Sequence, residues 1–163
     1  MNRKEFLTDL LAPNLEMLKM TIADFSDADM LARPTPLANH AAWQVGHLVV
    51  AERNLVNAFQ PGAVLELPAA FTAKFTKETS KVNDPAAFPK KAELIDALNN
   101  TRQATIAWAK GLSEADLDKP GPEKMKSFAP TIGHLLAMTP AHTMMHVGQF
   151  QVIRRALGKP VIF

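Results

Sequence analysis

From Thr131 to Pro160 the chain reads TIGHLLAMTPAHTMMHVGQFQVIRRALGKP, and its apolar side chains recur at three- and four-residue steps. Only an α-helix turns with that period. Thr131 is a suitable N-cap, Gly158 a suitable C′ residue, and Pro160 a stop. Pro140 removes the donor that would meet the Leu136 carbonyl, so a bend is expected just before His142. Projected at about 100° per residue, Leu135, Met138, His142, Met145, His146, Gln149 and Ile153 share one stripe. His142 and His146 therefore stand one turn apart on the face expected to meet the core. Two buried imidazoles need partners for their polar atoms. A bound metal ion is one such partner; ordinary hydrogen bonds in a core are the other.

Three further stretches show the same period. Leu7, Leu11, Leu15, Leu18, Ile22 and Phe25 predict a first helix over 3–25, kinked or broken near Ala12 by Pro13. Ser26 or Asp27 is placed to cap a short turn through Leu31. The run Arg33-Pro34-Thr35-Pro36 is a connector. Asn39 is the expected N-cap of a second helix reaching about Phe59, where Pro61-Gly62 ends it. A third helix, 89–111, follows Pro89, with Leu94, Leu98, Thr101, Thr105, Trp108 and Leu112 forming a narrow seam. Between them, residues 60–89 hold four prolines and a possible short helix over Ala69–Lys77. So long a connection suggests a crossover that lays Phe71, Phe75 and Phe88 on the bundle. Four long helices without a convincing strand predict an all-α bundle, and 163 residues suit one domain, 1–163.

Composition removes several function classes. The chain has no cysteine, which excludes disulfides, thiolate ligands and a cysteine nucleophile. Its net charge is only +2, with Lys and Arg scattered, so nucleic-acid binding is not indicated. The N-terminal stretch is broken by charge and Pro13 and lacks a signal-peptide core, and no apolar run suits a membrane span. A cytoplasmic location is the expectation.

Within the second helix, His47 shares its face with Trp43, Val50, Ala51 and Asn54. Gly46 costs about 1 kcal/mol of helix propensity relative to Ala, which a close approach by backbone or ligand would rationalise. His47 can thus meet His142 and His146 across the bundle interior, as metal ligands on facing helices do. Three imidazoles leave a coordination position open, the pattern of a reactive rather than a purely structural site. Zn²⁺ suits them best, and Ni²⁺, Fe²⁺ and Mn²⁺ also fit the ligand type.

The combination Trp43-x-x-Gly46-His47-Leu48, His142-x3-His146-x-Gly148-Gln149, Arg154 and Gly158-Lys159-Pro160 resembles the DinB-like (DinB/YfiT) superfamily. That resemblance implies a four-helix bundle with up-down-down-up connectivity, in which a long crossover must join helices two and three. It implies a divalent metal ion held by three histidines, with His47, His142 and His146 at the matching positions, and a homodimer. It also implies chemistry: characterised relatives include metal-dependent thiol S-transferases using bacillithiol, mycothiol or similar small thiols, and a maleylpyruvate isomerase. The preferred reading is a metal-dependent thiol S-transferase acting on a small molecule. The rivals are a metal-dependent hydrolase using the same ligands and a non-catalytic, stress-related binding module.

The remaining polar residues have lesser expected roles. His40 lies about 10.5 Å along the axis from His47 and belongs either to the site or to the first turn of its helix. His134 projects about 80° from His142 and reads as a helix-start residue. Gln149 and Asn54 are placed to orient a ligand or to bond a neighbouring helix. Glu52 projects about 140° from His47 and is expected at the surface. Met20, Met30, Met125, Met138, Met144 and Met145 are expected as core filler, and Arg154 and Arg155 as a solvated basic end.

Overall fold

A computed structural model describes residues 1–162. Its helices are α1 (Arg3–Asp9), α2 (Leu11–Thr21), α3 (Ala41–Phe59), α4 (Ala69–Thr72), α5 (Lys91–Gly111) and α6 (Ile132–Ala156). Among the described residues there is no strand, only an isolated bridge between Pro120 and Thr131. The all-α expectation holds.

Local chemistry explains the helix ends. Asn2 and Glu5 form a capping box on α1. The first helix breaks at Leu10, not near Ala12, because Pro13 then falls in the first turn of α2, where its missing N–H needs no intrahelical partner. Leu11, Leu15, Leu18, Ile22 and Phe25 are all buried, as their period required. Thr131 caps α6 by accepting from the His134 amide at 3.4 Å. Gly158, at φ +68°, ends α6 in the left-handed region, with Lys159 N donating to Arg154 O at 2.9 Å and Gly158 N to Arg155 O at 3.1 Å. This is a Schellman closure.

Four long helices enclose the core. α2 packs on α5 and α6, and α3 packs on the same two. Cross-helix pairs give their directions. Glu52 meets Arg102 and Gln60 meets Trp108, so α3 and α5 advance together. Gln44 meets His146 while His47 meets His142, so α3 and α6 run oppositely. Joining two helices that run the same way requires the chain to return along the bundle. Residues 60–90 make that return through α4 and short 3-10 turns. They bury Phe75 and Phe88 and half-bury Phe71, as anticipated. Gly46 makes room for this crossover: a Cβ there would stand 2.0 Å from Phe75 Cε1. The close approach comes from a side chain.

Apolar residues form two clusters, one around Leu15, Val49, Leu98 and Phe150, the other around Leu11, Val56, Ile106 and Leu135. A buried polar layer is set into the same interior. The Arg102 guanidinium, on α5, donates to both Glu52 oxygens on α3 at 2.9–3.1 Å, to Leu11 O on α2 at 2.7 Å, and to Thr143 Oγ1 on α6 at 3.0 Å. One side chain on α5 thus bonds to the other three long helices. Glu52 is 5% exposed and not at the surface as expected; Arg102 supplies the charge and the hydrogen bonds that make its burial tolerable. Arg154 is likewise buried, at 1% exposure, bonded to Asp24, Thr21 O and Pro160 O. Only Arg155 of that pair is exposed.

These buried polar groups turn α6 relative to the expected stripe. Leu136, Thr139, Thr143, Val147, Phe150 and Arg154 face inward, while Met145 and Gln149 are exposed. Thr139 and Thr143 tolerate burial because their hydroxyls donate to Leu135 O and Thr139 O. Of the methionines, Met30 and Met125 fill core, Met138 is half-buried, and Met20, Met144 and Met145 are exposed.

Candidate metal centre

Turning α6 leaves His146 inside, at 4% exposure, and brings His142 to the edge of the buried face. His47 approaches from α3. One ring nitrogen from each of His47, His142 and His146 lies within 4.8 Å of the other two. His142 Nε2 and His146 Nε2 are 3.2 Å apart.

Each ring has a support. His47 stacks on Trp43, its neighbour one turn earlier, with centroids 4.9 Å apart and planes 6° from parallel. Trp43 is itself pinned, its indole N–H donating to Thr76 O at 3.1 Å. His146 is oriented through Gln44, which is 1% exposed. Gln44 Nε2 donates to Asn39 O at 2.7 Å, so the amide presents Oε1 to His146 Nδ1, also at 2.7 Å. An amide oxygen only accepts, so Nδ1 holds the proton and Nε2 points its lone pair at the other histidines. Sequence reasoning missed Gln44. The available signal was a single amide within the apolar run Ala41-Ala42-Trp43-Gln44-Val45. Gln149, expected in such a role, faces away from the site.

Burial keeps all three rings neutral. Desolvation pushes His146 down to about 3, with His142 and His47 adding to the effect. Desolvation also lowers His47, helped by His142, and lowers His142 against the opposing pull of Glu52. Neutral imidazoles are the form that binds metal. Two Nε2 atoms at 3.2 Å either share one proton or face a common cation. The donor set therefore fits a divalent ion, and three borderline nitrogen ligands suit Zn²⁺.

The other candidates fall outside this cluster. His40, not Asn39, caps α3: its Nδ1 accepts from Trp43 N at 3.0 Å and its Nε2 meets Val82 O at 3.2 Å. His134 is exposed beside Thr131. Asn54 is exposed but lines a cleft of about 740 Å³ that has His47 and His142 in its wall.

The sequence profile of the DinB superfamily matches residues 11–150, a span that contains the three histidines and Gln44. The chain belongs to the DinB superfamily. A solved structure, described as the conserved protein of locus from Enterococcus faecalis, superposes with a TM-score of 0.64 at 18% identity. The superposition covers 98% of this chain and 99% of that one, and carries the shared fold alone. No curated protein matches the chain. The superfamily match begins after α1 and ends within α6, so the ion pairs of Arg3 and the closure at Gly158 lie outside it.

Proposed function

We propose that this chain is a divalent-metal-dependent enzyme that transfers a small thiol to an organic electrophile. The observation that supports this best is the convergence of His47, His142 and His146 beside an open cleft. A divalent ion there, Zn²⁺ by preference, would lower the pKa of a thiol in its open position and hold the thiolate for attack. The thiol comes from a substrate, since the chain has no cysteine. His146, locked by Gln44, and His47, stacked on Trp43, keep their nitrogens aimed without rearrangement on binding. The cleft receives the electrophile. Hydrolysis would use the same ligands, but no carboxylate lines the cleft to assist a water. A cytoplasmic homodimer belongs to the same reading; exposed Met144 and Val152 on the outer face of α6 support an interface there. No helix among the described residues is long and apolar enough to cross a membrane.

Elemental analysis of protein prepared without a His-tag is the first test. About one equivalent of metal is expected, lost in a His142→Ala variant that stays helical. Loading should also stabilise the fold by about 3 kcal/mol at a hundredfold excess over Kd. Turnover with a panel of low-molecular-weight thiols and electrophiles is then expected from the loaded form only. Metal-free protein, or loaded protein inert across the panel, would sink the enzyme reading.

A further inference from the structure

The cleft beside the histidines has a composition that restricts what can occupy it. Val50 and Leu55 line it from α3, Met138 and Met145 from α6, Phe75 from the crossover, and Phe128 from the loop before α6. No Asp, Glu, Lys or Arg is in its wall, and Asn54 is the single polar lining residue besides His47 and His142. The neighbouring cation, Arg53, is paired with Glu66 and donates to Asn54 Oδ1 at 2.6 Å, so it is already engaged. A carboxylate, phosphate or ammonium group lying along this space would lose water and gain no counter-charge from the side chains of the wall. Apolar surface would gain by leaving water. Phe128 and Met145 stand 48% and 54% exposed at the cleft, and a ligand seated there would cover them. Unbranched Met138 and Met145 can adapt to its outline. The volume suits a compact organic molecule.

We infer that the molecule transformed here is an uncharged, mainly apolar organic compound, lying along the cleft with its one reactive group against the histidines. The position of the reactive group rests on the metal-enzyme reading; the preference for an uncharged apolar occupant does not, and can be measured without metal.

A matched pair of fluorescent probes tests it. N-phenyl-1-naphthylamine is neutral, and 8-anilinonaphthalene-1-sulfonate is the same skeleton with an added sulfonate. The neutral probe should bind at least tenfold more tightly to parent protein stripped of metal by a chelator and to metal-free His142→Ala, where no bound cation attracts the sulfonate. Ala141 lines the cleft at an exposed position, so Ala141→Trp should fill the space without unfolding the chain. It should weaken the neutral probe at least tenfold while the metal content stays unchanged. Asn54→Lys, also at an exposed site, should narrow the difference between the probes to less than threefold. Equal binding of the two probes by the metal-free parent protein would overturn the inference, as would neutral-probe binding indifferent to Ala141→Trp. So would a dimer that sedimentation shows dissociating as the probe binds, because the occupant would then be a second copy of the chain. Loss of metal with probe binding intact overturns only the metal-enzyme reading.

Discussion

At Gln44 a single amide decides which nitrogen of His146 is available. Its own orientation is set by the Asn39 carbonyl, five residues earlier. Replacing Gln44 by Leu removes the acceptor while keeping a side chain of similar size. Metal affinity should then fall about 10- to 100-fold with helicity unchanged, as read by competition with a chromophoric chelator. Affinity within twofold of the parent would remove Gln44 from the site. His40 shows a different use of the same ring. Buried as an N-cap, its pKa is pushed down to about 4, first by desolvation and then by nearby Arg33. Between pH 4 and 6.5 it is neutral when folded and protonated when unfolded, so the unfolded chain binds the extra proton. Stability is therefore whole above about pH 6.5 and falls as the pH drops toward 4, by about 1.4 kcal/mol per pH unit. His146 acts in the same direction in metal-free protein, down to about 3. Urea unfolding between pH 4 and 7 should give a shallower slope in His40→Asn, which keeps a capping oxygen. Identical slopes would mean His40 is not the titrating group.

The elements meet where Gly46 on α3 faces Phe75 from the crossover. Gly46→Ala gains about 1 kcal/mol of helix propensity but drives a methyl into a buried ring, which costs about 1–3 kcal/mol. A net loss of about 1 kcal/mol is expected by denaturant unfolding. In a Phe75→Ala background the same change should become stabilising, because the obstruction is gone. Gly46→Ala that is destabilising to the same extent in both backgrounds would refute the contact. The rotation of α6 is also an element-scale result. Reading apolar residues alone places Met145 and Gln149 inside; counting Thr139, Thr143 and Arg154 as inward residues places them outside. That turn puts His142 at the rim, where it borders both His146 and the cleft.

Across the whole molecule, Arg102 is the side chain that ties α2, α3, α5 and α6 together. Removing one partner of a buried pair strands the other charge. Glu52→Leu should therefore destabilise by about 3–5 kcal/mol, whereas Glu52→Leu with Arg102→Met should recover most of that. Chemical denaturation of the two variants measures it, and a double variant no more stable than the single one would contradict the account. The Glu52 carboxylate also lies near enough to His142 to oppose its desolvation, so the ion pair and the histidine cluster share one electrostatic environment.

By itself the sequence determined the number and approximate placing of the long helices, the proline-rich crossover, the caps at Thr131 and Gly158, and the three histidines as one group. These follow from local causes: period, proline, glycine and hydroxyl caps act within a few residues. The tertiary structure alone decided that Glu52, Arg102 and Arg154 are buried, that His40 caps α3, that α6 turns Gln149 to solvent, and that Gln44 holds His146. Polar residues default to the surface in any pattern reading. What overrides that default here is long-range partners 41 to 133 positions away for Glu52, Arg102, Gln44 and Arg154, and no local period encodes where they will be.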